Sequence, residues 1–284
     1  MAPLSRLDHV IIAVKNLDAA AATYRKLGFT LTPRGLHEGR GTGNHCIMFK
    51  HSYIELLGIV DEVGAQGRLA ERVNARGEGG LGIAYGADDA DKTAAALRAA
   101  GIAAEDPIEL SRPLDLDGKR EMVRFRNVMM PGLTLPNVMQ FVCTHLTPEL
   151  TRARHEWQLH PNGATGIGQV VIGNDNPVDY LGEFQKEFGT GNVACGTGIP
   201  SAMAVRFTNG SIHVTSREMQ GAGYELAWKD APYPGIVALR VTVNEPDATS
   251  AMLQMAKLPH KEARNAVVVP ASATHGVALE FRED

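Results

Sequence analysis

His9 and Glu55 are the residues of this chain whose types and placement point most directly to chemistry. An imidazole and a carboxylate converging from two strands begin a site for a divalent cation, and such a carboxylate can also take up a proton. His9 lies in LDHVIIAV (7–14) and Glu55 in YIELLGI (53–59), two apolar, β-branched runs that read as strands. Alternation sets Leu7, His9, Ile11 and Ala13 on one face of the first run, with Val10, Ile12 and Val14 on the other. With the all-apolar face packed on a helix, His9 points the opposite way. The same logic turns Tyr53 and Glu55 inward and Ile54 and Leu56 toward the helix.

The elements that position this pair form one short unit. Lys15-Asn16-Leu17-Asp18 supplies a turn and an N-cap, and the helix AAAATYRKLG ends on Gly28. FTLTPRG, NHCIMF and YIELLGIV follow as strands. The unit recurs in GLGIAYGADDADKTAAALRAAGI, where Asp91 is expected to cap the helix and Gly101 to close it, each 73 positions after Asp18 and Gly28. A third copy opens at TGIGQVVIGND and a fourth at GIVALRVTV, so strand–helix–three-strand units fill the chain. The segments at 64–80, 144–164 and 220–235 are less regular links. The middle one carries Pro148 and Pro161 and is the expected boundary between domains 1–150 and 160–284. The expected class is α+β.

This arrangement resembles the vicinal oxygen chelate superfamily, which includes glyoxalase I, the bleomycin-resistance binding proteins and the extradiol ring-cleaving dioxygenases. LDHV at 7–10, LGF at 27–29, GTGNH at 41–45 and YIELLG at 53–58 carry the match, and they look closest to the glyoxalase-like domain proteins. The resemblance implies four βαβββ modules paired into two cup-shaped mixed β-sheet domains. It also implies that inward side chains of first and last strands bind a divalent metal ion (Zn, Ni, Mn or Fe). In the second module Gly82 stands where His9 does and offers no ligand, while Gln140 aligns with Glu55, so the first cup is expected to offer His9, Glu55 and Gln140. A lesser set in the second half is Gln169, His213 and Glu280, with Ala238 at the remaining position. Arg240, on the face of Ala238, would pair with Glu280 or hold an anionic substrate.

Near the expected cup mouth, His37 and His45 are candidates for acid–base work beside Glu55. Arg40, between Gly39 and Gly41 in a stretch suited to a mobile loop, is a candidate to hold a carboxylate, and Tyr53 to line the substrate space. His145, His155 and His160 fall in the middle link and read as turn residues.

Three functions compete. A metal-dependent isomerase, lyase or hydrolase would act on a small oxygenated molecule, the cation polarising an oxygen and a carboxylate moving a proton. An extradiol dioxygenase wants two histidines and one carboxylate on one face, whereas each expected cup has one strand histidine, His9 or His213. A non-catalytic binding or sequestering protein should line its cup with aromatics, and only 6% of residues are aromatic.

The formal charge of −4 and scattered basic residues give no electrostatic case for nucleic acid or an anionic membrane. No apolar run approaches the roughly 20 residues that span a bilayer. Cys46, Cys143 and Cys195 are odd in number and widely spaced, which reads as reduced, buried cysteines and a cytoplasmic location, not as a disulfide framework or a cysteine-based zinc site. The partner expected is a small-molecule substrate, with neither nucleic acid nor membrane, and with a homodimer left open.

Overall fold

A computed structural model describes residues 2–37, 39–131, 135–196, 202–217 and 229–283. Part of the third link, 220–228, and Ser201 lie outside the described residues. The first module is β1 (Leu7–Val14), α1 (Leu17–Lys26), β2 (Gly35–His37), β3 (Thr42–Met48) and β4 (Tyr53–Ile59). Two short helices that the sequence had as irregular link follow, α2 (Glu62–Ala65) and α3 (Arg68–Arg76). The second module is β5 (Gly79–Gly86), α4 (Ala90–Ala99), β6 (Ile108–Leu116), β7 (Lys119–Met129) and β8 (Met139–His145). After α5 (Pro148–Thr151) and a 3₁₀ turn at His155–Gln158, the third module is β9 (Ala164–Gly173), α6 (Leu181–Phe188), β10 (Val193–Cys195), β11 (Ala202–Phe207) and β12 (Gly210–Thr215). The fourth is β13 (Gly235–Val243), α7 (Pro246–Met255), β14 (Lys261–Ala263), β15 (Ala266–Val269) and β16 (Ala278–Arg282).

Local chemistry explains the module. Asn16 Oδ1 accepts from the Ala19 amide at 2.9 Å and Asp89 Oδ1 from the Lys92 amide at 3.0 Å, so each satisfies an otherwise orphaned helix N–H. The cap of α4 is therefore Asp89 and not Asp91, which lies in the first turn and pairs with Arg126 instead. Gly28 and Gly101 close α1 and α4 with φ of 81° and 76°, a left-handed turn that side chains with a Cβ resist.

Two eight-stranded mixed sheets result, ordered β2-β3-β4-β1-β5-β8-β7-β6 and β10-β11-β12-β9-β13-β16-β15-β14. In each, the first and fourth strands of a module run parallel, and two modules join through an antiparallel pair, β1 with β5 and β9 with β13. The first sheet curls until β2 approaches β6, which makes a cup. Its outer face, with Val10, Ile12, Ile54, Leu56, Ile83 and Val142, joins the helices and the outer face of the second sheet in one continuous apolar core. Smaller clusters line the inside: Cys46, Met48, Tyr53, Leu114, Val123 and Trp157 in one, and Ile11, Ala84, Phe141 and Cys143 in the other.

Candidate active site

Alternation along β1 and β4 delivers His9 and Glu55 to the inside of the first cup. Tyr53 pairs in register with His9, and Glu55 with the neighbouring inward residue Ile11. The Tyr53 ring stacks on the His9 imidazole at 4.3 Å between centroids, and Phe141 meets it edge-on at 5.5 Å. Between rings on two sides, the imidazole has little room to rotate. Asn44, inward on β3, donates from Nδ2 to Glu55 Oε1 at 2.6 Å and leaves Oε2 facing His9 Nε2 at 3.6 Å. That separation is too long for a hydrogen bond. It is close to the span between two ligands of one cation held by bonds of roughly 2.1 Å, so the pair fits two positions of a divalent-metal site. His9 and Glu55 are only 3% and 9% exposed, and interactions between them are therefore little screened by water.

Asp8 is the residue that sequence reasoning missed. The β1–β5 register slips between Leu7 and His9, which pair with Tyr85 and Ala84. A β-bulge of this kind inserts one extra residue and re-aims its side chain. Asp8 accordingly joins His9 inside the cup instead of taking the outer face that strict alternation assigns to it. Its Oδ2 accepts from His9 Nδ1 at 2.8 Å, and both oxygens lie 3.0 Å from His145 Nε2. Burial alone would raise the Asp8 carboxyl, but the hydrogen bonds and charge of His145 and His9 outweigh it and hold the carboxyl well below the usual range. An ionised carboxylate only accepts, so the nitrogens facing Asp8 carry protons, and His9 Nε2 is turned toward Glu55. Burial, with the charges of Asp8 and Glu55 nearby, pushes the pKa of the Cys143 thiol well above normal.

The first cup thus contains two inward histidines, His9 and His145, where strand reading allowed one. It also holds more aromatic surface than the composition suggested, since Phe125, Phe141 and Trp157 join Tyr53. Arg112, inward on β6 and 6.0 Å above the Phe125 ring, was not anticipated either. Its charge acts on Cys46 and on His37. The signal was present in IELSRPLDL, where Leu110, Arg112, Leu114 and Leu116 share a face.

The other expected residues divide clearly. Gln140 does not reach His9: it pairs with Ile83 on the outer face and accepts from the Tyr85 hydroxyl at 2.5 Å. Phe141 takes the place matching Glu55, because it pairs with Ala84, which lies 73 positions after Glu55's own partner Ile11. The one-residue slip turns the amide out of the cup. His45 likewise lies on the outer face beside Ile47, with Nδ1 2.8 Å from the Thr32 carbonyl, and burial lowers its pKa. His37 does lie at the rim. Burial lowers its pKa, Glu55 acts in the opposite direction, and Nδ1 is 3.0 Å from the Thr42 hydroxyl. Arg40 is exposed beyond it. The adjoining Gly41 is pinned and not free to swing, because a Cβ there would lie 1.9 Å from the Gly64 amide nitrogen.

In the second cup Gln169 pairs with Arg240, and Arg240 with Glu280. The Arg240 guanidinium donates to both Glu280 oxygens at 3.2 and 3.3 Å, and Arg282 approaches the same carboxylate at 3.5 Å. Burial, with Arg240 and Arg206 nearby, pushes His213 down to about 4. The side chain of Gln169 is buried, and its amide oxygen has no partner among the described residues.

The family model described as a glyoxalase-like domain matches residues 7–188. No curated protein matches the sequence. Among solved structures, a hypothetical protein from Staphylococcus aureus is similar over 98% of this chain and 99% of its own, at 12% identity and a TM-score of 0.69, which is a likeness of fold. The methylmalonyl-CoA epimerase of Streptomyces coelicolor is 25% identical over 50% of this chain and 96% of its own, with a TM-score of 0.39. That of Mycobacterium tuberculosis is 21% identical over 51% of this chain and 90% of its own, with the same TM-score. With most of its length under one family model, the chain belongs to the glyoxalase-like domain proteins of the vicinal oxygen chelate superfamily.

Proposed function

We propose that the first cup is an active site for proton transfer at a carbon beside an oxygenated group of a small anionic molecule, in the manner of an isomerase, lyase or hydrolase. The observation that carries this is the nearly dry His9–Glu55 pair, each member fixed by a second group, Asp8 for one and Asn44 for the other. Glu55, anchored through Oε1, presents Oε2, which serves as the proton acceptor when it does not ligate a cation. His9 and Glu55 would hold a divalent cation, which when bound supplies polarisation of a substrate oxygen. Tyr53 and Phe141 keep His9 in its plane, and Arg112 at the rim is suited to an anionic group, with His37 beside it as a second proton carrier. Activity belongs to the first cup in this reading because the Glu280 carboxylate of the second is committed to Arg240 and Arg282.

The test is solvent-deuterium exchange into a panel of small 2-hydroxy and 2-oxo acids, followed by proton NMR. Wild type loaded with divalent metal should exchange at least one member, and Glu55→Gln should slow that exchange by about 10²–10⁴-fold. Exchange untouched by Glu55→Gln would overturn the reading. A second reading, binding without turnover, is favoured by the aromatic lining of Tyr53, Phe125, Phe141 and Trp157. Silence across the panel, together with a small molecule that co-purifies and is lost in Tyr53→Ala, would favour it.

A further inference from the structure

We propose that Asp8, Cys143 and His145 form a seat for a thiophilic divalent cation of the zinc class, on the wall of the first cup beside the His9–Glu55 pair and distinct from it. One potential ligand atom from each of the three residues lies within 4.8 Å of the other two, close enough to converge on one ion. The set combines sulfur, imidazole nitrogen and carboxylate oxygen, donors that zinc accepts together and that manganese or magnesium would not select. Two independent features of the backbone assemble it. The bulge at Leu7–His9 turns Asp8 inward, and Cys143 and His145, two residues apart on β8, share one face. Neither residue of β8 corresponds to His9 or Glu55 in the module repeat, so this donor set is an addition to the paired first- and last-strand positions.

The surroundings suit a ligand set. The His145 ring is held by Phe125 at 5.1 Å and Tyr53 at 6.3 Å, and its Nδ1 is buried without a partner among the described residues. His9 Nδ1 supports Asp8 from the side, the outer hydrogen bond that ligating carboxylates commonly have. Binding the ion replaces the Cys143 thiol proton, and the proton between Asp8 and His145 where Nε2 ligates; the protons leave to solvent, with no change of oxidation state.

Cobalt(II) titrated into metal-stripped, full-length protein tests the assignment through a readout that needs no substrate. Beyond any cobalt held by His9 and Glu55, one cobalt per chain should bind with an intense thiolate-to-cobalt charge-transfer band in the near ultraviolet, and zinc should displace it. Cys143→Ser should abolish the band, and His145→Ala should weaken binding by at least the 10–100-fold that loss of an outer partner costs. Cys46→Ser and Glu55→Gln should keep it. Failure of this proposal is thereby separable from failure of the proton-transfer reading, which stands on Glu55. Cobalt bound by folded wild type with no thiolate band would overturn the assignment, as would a band that survives Cys143→Ser.

Discussion

The Asp8 carboxylate takes hydrogen bonds from His9 and His145 while only 7% exposed, so its charge is matched by donors and hardly at all by water. Asp8→Asn keeps the shape but brings an N–H₂ toward donors and leaves at least one imidazole N–H unpaired. Breaking such a buried arrangement costs about 3 kcal/mol. The native pKa is depressed, so this stability is present above the unfolded value near 3.9 and is lost as pH falls toward the native one. Urea midpoints should therefore show wild type ahead of Asp8→Asn at pH 7 and the two converging in acid, below about pH 5. A constant gap across that range would refute the charge argument. At this scale the sequence was legible wherever strands alternate without interruption, as at His9, Tyr53 and Glu55. It was illegible at Asp8 because nothing in LDHV marks a bulge. Gln140 was misread because one slip in register moves a side chain to the other face of a sheet.

Glu187 on α6 shows how an element can carry a group against its own interest. It lies three residues after Phe184 and beside Phe188, on the buried face of the helix, and is fully buried. Neither carboxyl oxygen has a hydrogen-bond partner among the described residues. Burial, with Glu183 adding like charge, pushes the carboxyl up to about 9. A folded pKa above the unfolded one means that the contribution is fully present below about pH 4.5 and is lost as pH rises toward 9. Glu187→Gln mimics the protonated form, so it should match wild type near pH 4 and exceed it by about 5 kcal/mol at pH 8. Thermal melts of both proteins across that range decide the point, and parallel curves would rule it out. The helices themselves were readable from Gly28, Gly101 and the 73-residue repeat. Their caps were half readable, since Asp89 and Asp91 both suit the role and only the turn geometry chooses between them.

The four modules meet through their outer faces, and this decides how the whole chain should unfold. Tyr24 of α1 donates its hydroxyl to the Thr274 carbonyl at 3.2 Å, and Phe29 packs on Phe281 at 5.8 Å, so the first module touches the fourth. Tyr85 of the second packs on Phe188 of the third at 5.3 Å, and Asn162 in the middle link donates to the Leu27 carbonyl at 2.9 Å. The same link places Trp157 inside the first cup. Two domains, 1–150 and 160–284, were expected from the middle link, but repeat periodicity shows only that each module has an apolar outer face and not which other face covers it. One apolar core now joins both sheets, so neither half can melt without exposing the other. We therefore predict one calorimetric transition for the full chain, with the calorimetric enthalpy equal to the van't Hoff enthalpy. Fragments cut at the middle link, 1–150 and 160–284, should be unfolded or self-associated when expressed alone and should recover a cooperative transition when mixed. Two resolved transitions in the intact protein, or a monomeric and cooperatively folded 1–150 fragment, would mean that the shared core is dispensable and that the boundary at the link separates independent domains.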